Sequence, residues 1–173
     1  TRAAPVDGMG FYDSFGVLAS VYSGAWDESS CFPDYMYNVM VTKSSSWTTS
    51  YYWPGGGRNV RFFAYAPYNW EGIVLSGKDV AGTPTITCSL PDDVPDQKDL
   101  LVAVSGEMPG NTSSTAPLNF RHVLTAVRFV TGDDMLPGRI TKITLKNVYG
   151  KAVYPVGGIS WRDFGSVKSF SQT

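Results

Sequence analysis

The sequence predicts an all-β protein, a sandwich or a barrel, and three observations carry that prediction. The chain holds 18 Val, 14 Thr and 5 Ile beside 9 Phe, 10 Tyr and 5 Trp. β-Branched and aromatic side chains fit a pleated, half-buried surface. Good helix formers are scarce, with 3 Glu, 2 Gln, 9 Leu and 11 Ala. Finally, 18 Gly and 11 Pro cut the chain into short runs, as an antiparallel β domain requires.

The elements follow in order. Residues 1–13 lack periodicity, contain Pro5, Gly8 and Gly10, and read as an N-terminal arm; 14–173 read as one β-sandwich domain. Phe15–Tyr22 is the first strand. In 35–42, Tyr35, Tyr37, Val39 and Val41 share one face by alternation. Trp47–Trp53 is the return strand, stopped by Pro54 and three glycines. In 58–66, apolar groups fall on both faces, which predicts a central strand covered on each side. Residues 68–83 read as a connection, Thr85–Leu90 as a short strand, 91–99 as a loop, 100–105 as a strand and 106–117 as a loop.

Segment 118–130 carries a break in phase. Leu118 and Phe120 share a face, then Val123, Thr125, Val127 and Phe129 share one of opposite parity. A bulge or tight turn is therefore expected at Arg121–His122. Residues 140–147 alternate again, and Ala152–Val156 is the expected hairpin partner; 157–173 reads as an edge strand or a linker. The period-2 positions predict Tyr37, Val39, Val60, Phe62, Leu100, Val102, Val127, Phe129, Ile143 and Leu145 as inward-facing.

Composition also excludes. With 14 Lys+Arg against 15 Asp+Glu, the net charge of −1 leaves no basic footprint for nucleic acid. No apolar run reaches the roughly 18 residues of a membrane span. The start, TRAAPVDGMG, lacks the apolar stretch of a signal peptide, so any export signal is expected upstream or already removed. A surface rich in Ser and Thr suits an exported protein. Cys31 and Cys88 could pair in an oxidising compartment or remain two separate thiols.

Catalytic patterns fail on context. Gly72–Lys78 fits G-x4-G-K, but Asp79 stands where a phosphate loop needs Ser or Thr, and the A-G-T-P that follows starts no helix. His122 is the one histidine, without a G-x-S-x-G elbow, and reads as a structural group at the phase break, with Asp99 as its conceivable partner. Asp92, Asp93, Asp96 and Asp99 crowd one loop without calcium-loop spacing, so local backbone bonding is their expected role. Asn111-Thr112-Ser113 is a glycosylation triplet short enough to arise by chance. Among the aromatics, Trp47, Trp53 and Trp70 are the candidates for a sugar-stacking surface, and a carbohydrate-binding surface module is the alternative functional reading. No catalytic residue, cofactor or metal site is expected.

Six segments together carry a resemblance. They are YMYN at Tyr35–Asn38, YYWP at Tyr51–Pro54, VRFFAYAPY at Val60–Tyr68, VPDQKDLLVA at Val94–Ala103, LNFRHVLTAVRF at Leu118–Phe129 and ITKITLKNVYGKAVY at Ile140–Tyr154. In order and spacing the sequence resembles the fimbrillin-like (Mfa-like) family, subunits of type V pili and related surface lipoproteins. The resemblance implies a transthyretin-like antiparallel β-sandwich of about seven core strands. It implies export, lipidation upstream of this chain, and a place on the outer membrane and extracellular surface. It implies assembly with other pilus subunits by strand addition after processing by an arginine-directed protease, for which Arg2 and Ala3 are the candidate site. Host or bacterial surface glycans or proteins are the further partners it suggests. Family members usually carry a second sandwich, so the chain is expected to be the N-terminal domain of a longer protein.

Overall fold

The computed structural model describes residues 10–134 and 136–173. Arg2 and Ala3, like the rest of the arm before Gly10, lie outside the described residues. In chain order the strands are β1 (Ser14–Tyr22), β2 (Met36–Lys43), β3 (Trp47–Thr48), β4 (Asn59–Ala66), β5 (Ile73–Leu75) and β6 (Thr85–Ser89). They continue with β7 (Leu101–Val104), β8 (Met108–Pro109), β9 (Arg121–His122), β10 (Ile143–Tyr149), β11 (Lys151–Pro155) and β12 (Val167–Gln172). A 3-10 turn, Val94–Asp96, stands in the Asp-rich loop.

A seven-stranded antiparallel sheet runs β3-β2-β1-β4-β7-β9, with β8 pairing the start of β4. A three-stranded sheet, β11-β6-β5, packs on one of its faces, and a two-stranded sheet pairs β10 with β12. The architecture is all-β, as the composition predicts, and of its two options it is the antiparallel β-sandwich that the resemblance implies.

The central strands are buried on both sides, as the double apolar pattern of 58–66 predicts. On the inner face Leu18, Phe63, Tyr65 and Val102 meet Ile86 and Cys88 of β6 and Tyr154 of β11. On the other face lie Phe15, Val17, Ala19, Val60, Ala64, Ala66, Leu101 and Ala103. Tyr65 fits only because its register partner in β1 is Gly16, where a Cβ would stand 2.2 Å from the ring. Any larger residue there would displace the ring from the core.

Four expectations are corrected. First, Tyr37 does not share a face with Tyr35, Val39 and Val41. Register with β1 shifts between Val17 and Ala19, Asn38 takes a φ of +52°, and this bulge turns Tyr37 toward the inner face. Second, the return strand is two residues long, and Trp53 lies beyond it. Third, β10 pairs with β12, while β11 joins β6 in the three-stranded sheet, so the expected hairpin does not form. Ile143 and Leu145 are half-buried rather than core. Fourth, no strand is assigned from 123 to 142 among the described residues, and Val127 and Phe129 are each 54% exposed.

The phase break at Arg121–His122 is real and has a simple form. The chain crosses the edge of the large sheet there as β9. Leu118 and Phe120, before it, pack on one face, and Val123 and Leu124, after it, pack on the other.

Cys31 and Cys88 are both buried and unbridged. Burial pushes the Cys88 thiol up to about 12, which makes it a poor nucleophile.

Candidate functional site

The outer face of the large sheet is the surface with functional potential. Its floor includes the small side chains of Ala19, Ala64, Ala66 and Ala103. The four alanines leave room above them, and among the described residues no second sheet fills that room. Individual side chains from separate segments do so: Phe11 and Tyr12 of the arm, Trp53, Met108, Leu118 and Phe120.

The described end of the arm, Phe11 and Tyr12, is fastened by aromatic contacts and by a hydrogen bond. The Phe11 ring lies 4.9 Å from Phe120 and 5.7 Å from Trp47, and Phe15 lies 5.1 Å from Trp47 and 5.2 Å from Phe120. Edge and tilted ring pairs of this kind add modestly to area burial. The Tyr12 hydroxyl donates to the Asp99 carbonyl at 3.0 Å. Burial, followed by the nearby Asp99 charge, raises the Tyr12 pKa, so this hydroxyl stays a donor through the neutral range.

His122 and Asp99 come together at the same edge. His122 Nδ1 lies 2.7 Å from Asp99 Oδ2, with the His side chain half exposed. The backbone beside them is paired, Leu101 with His122, and Val123 donates to the Leu100 carbonyl at 3.1 Å. The pair therefore clips the short β9 to the chain entering β7. No Ser or Cys hydrogen-bonds the ring among the described residues, so it forms no nucleophile–base pair there.

The three candidate tryptophans do not share one surface. Trp47 leans on Phe11 and Phe15, and Trp53 packs edge-on against Phe62 at 5.7 Å, both at the outer face. Trp70 packs with the inner cluster. The number of aromatics suggests the set, but the sheet itself lies between its members.

The remaining motifs are structural in their geometry. Gly72–Lys78 contains β5 and opens no helix. Asp92 accepts from Lys168 Nζ at 2.8 Å, and Asp93 precedes the 3-10 turn. Among the described residues, no three His, Cys, Asp or Glu side chains gather so as to hold a metal ion. No described helix is long and apolar enough to cross a membrane.

Comparison with known proteins agrees with this architecture. Residues 1–167 match the fimbrillin-like family, and the chain belongs to it. It is 30% identical over 194 aligned residues to the fimbrium subunit Fim1C of Phocaeicola vulgatus, covering 92% of this chain and 50% of that protein. It is also similar to a crystal structure of a fimbrial protein from Bacteroides vulgatus, with a TM-score of 0.66 and 25% identity. That likeness covers 91% of this chain and 57% of the other. The chain thus spans about half the length of the curated relative it matches.

Proposed function

We propose that this chain is a structural, adhesive or accessory subunit of a bacterial cell-surface pilus, not an enzyme, and that it assembles by strand addition after N-terminal processing. Its location is then the outer membrane and extracellular surface, and its partners are other pilus subunits. The division into an arm, 1–13, and a sandwich unit, 14–173, belongs to the same proposal.

The observation that carries this reading is the outer face of the large sheet. Among the described residues, a floor that includes Ala19, Ala64, Ala66 and Ala103 is covered by Phe11 and Tyr12 of the arm and by single side chains rather than by a sheet. An incoming extended segment could replace such a cover without opening the inner cluster, which lies on the opposite face. In strand addition, backbone hydrogen bonds supply affinity and alternate side chains fill pockets. The two outermost strands of the large sheet, β3 and β9, are two residues each, so its edges are incompletely paired. Fimbrillin-like family membership agrees with the proposal.

Processing after Arg2 would then release whatever upstream segment had occupied the face. A form extended upstream of Thr1 should remain monomeric until an arginine-specific protease is added, and then polymerise. The same form carrying Arg2→Ala should remain monomeric throughout. Size-exclusion chromatography with light scattering reads both. Polymerisation of the Arg2→Ala form at the wild-type rate would remove Arg2 from the account.

A further inference from the structure

We propose that the cleft between the bulge of β2 and the edge strand β5 binds a neutral saccharide. This inference does not rest on the assembly reading. The cleft has a volume of about 500 Å³ and is lined by Tyr37, Asn38, Asn69, Trp70 and Glu71, with β5 forming its far wall. It lies apart from the outer face of the large sheet and shares no residue with the arm.

The bulge builds the cleft. It re-aims Tyr37 and Asn38, which a regular strand would place differently. Asn38 and Asn69 both hold left-handed backbone, at φ +52° and +48°. Asn tolerates that region better than most residues, yet it costs free energy, and such conformations concentrate at working sites. Here two of them face each other across 2.9 Å, Asn38 Nδ2 donating to Asn69 Oδ1. The Tyr65 hydroxyl donates to Asn38 Oδ1 from below, and the Tyr37 hydroxyl donates to the Ser76 carbonyl at 2.8 Å. The amides are thus fixed in orientation by groups that are themselves buried or bonded, which is the preorganisation a polar ligand needs.

The aromatic wall is equally prepared. Gly72 is buried under the Trp70 ring, and a Cβ there would stand 2.4 Å from it. The absence of that Cβ lets the indole lie across the backbone, half-exposed, beside the two asparagines. A sugar's C–H face can stack on such a ring while its hydroxyls bond to amides and carboxylates.

The polar groups left over match hydroxyls. Among the described residues nothing accepts from Asn69 Nδ2 or from the Trp70 indole N–H, and nothing donates to the exposed Glu71 carboxylate. Two donors and a charged acceptor at one rim suit vicinal hydroxyls, each of which both donates and accepts. Among the described residues no Lys, Arg or His lines the cleft and Glu71 is its one charge, so phosphorylated, sulfated and carboxylated ligands are disfavoured.

The test is a titration of the 173-residue chain with lactose, mannobiose and N,N′-diacetylchitobiose, followed by the indole and amide N–H signals in NMR. The Trp70 indole signal is assigned by its loss in Trp70→Phe. At least one sugar should shift the Trp70 indole and Asn69 side-chain signals. Asn69→Gly keeps the left-handed backbone unstrained while removing the amide, and Glu71→Gln keeps the size while removing the charge. Each should weaken binding about tenfold, the effect of losing one good polar contact. Both positions are exposed, so neither variant endangers folding. No shift of the Trp70 signal with any of the three sugars, at concentrations well above the millimolar range, overturns the proposal. Unchanged affinity in both variants overturns it as well. So does a response of the β5 amides to an extended Val/Thr peptide where the sugars give none, since the cleft is then a peptide edge.

Discussion

Strand β4 and the stretch 123–142 carry similar alternating apolar residues, and they end in opposite circumstances. β4 lies between β1 and β7, with Val60, Ala64 and Ala66 on one face and Phe63 and Tyr65 on the other, all buried. In 123–142, Val130 is 77% and Leu136 83% exposed, and no strand is assigned among the described residues. The difference is pairing. Alternation shows that a segment can cover a sheet; neighbours on both edges decide whether it does.

The sharpest way to break this comparison is Phe63→Ala. Phe63 is fully buried in the inner cluster, so its truncation should cost about 3–5 kcal/mol in a urea or thermal unfolding measurement. Phe62→Ala, one residue away on the outer face, removes a half-buried ring resting on Trp53. It should cost roughly 1–3 kcal/mol, less than its neighbour. If Phe62→Ala proved the worse of the two, the assignment of faces would be wrong.

A smaller effect is expected where the loop after β1 is tied to the approach to β6. Glu28 accepts from the Trp26 indole at 2.8 Å and from the Thr83 hydroxyl at 2.7 Å. Partial burial pushes its carboxyl up, but these bonds and the Thr83 backbone N–H outweigh that and hold it below the ordinary value of 4.5. The folded state therefore binds this proton less readily than the unfolded state. The resulting stability is full above 4.5 and is lost as pH falls through the lowered folded value. Thr83→Val should cost roughly 1 kcal/mol at neutral pH. The gap between variant and wild type should narrow when the unfolding curves are repeated in acid. A gap that widens in acid would reverse the sign assigned to Glu28.

The smallest effects belong to the exposed stretch. Val127→Ser and Phe129→Ser should each change stability by no more than about 0.5 kcal/mol, because little apolar area returns to water. Hydrogen exchange sharpens the same contrast. Amides of β4 should exchange only through global opening, and those of 124–134 should exchange without protection. Slow exchange at Val127 or Phe129 would mean that the stretch finds a partner in solution.

The strands legible in the sequence were those whose burial is local in cause. β1, β2, β4, β6, β7, β10 and β11 follow from β-branched and aromatic runs, most of them bounded by Gly or Pro. The crossing at Arg121–His122 was legible because a change of face must appear as a change of parity. The bulge in β2 was not, because Tyr35, Tyr37, Val39 and Val41 fit an unbroken strand equally well. β3, β8 and β9, two residues each, are too short to show a period. The choice of β12 over β11 as partner of β10 depends on a pairing made far along the chain. The His122–Asp99 contact was readable as a conceivable pair from adjoining segments. The Asn38–Asn69 pairing was not, because 31 residues separate them and their backbone conformation leaves no mark in composition.

The central position of β1 has a mechanical consequence. It is the first strand among the described residues, yet it sits in the middle of the large sheet, laddered to β2 on one side and β4 on the other. Tension drawn along its axis from the arm loads both ladders at once and in shear, so the bonds share the force instead of opening one after another. β3 and β9 stand outside that line of force and can peel without lowering the resistance of the centre. Extension of such a domain is governed by one large barrier and hence by its unfolding rate rather than its equilibrium stability.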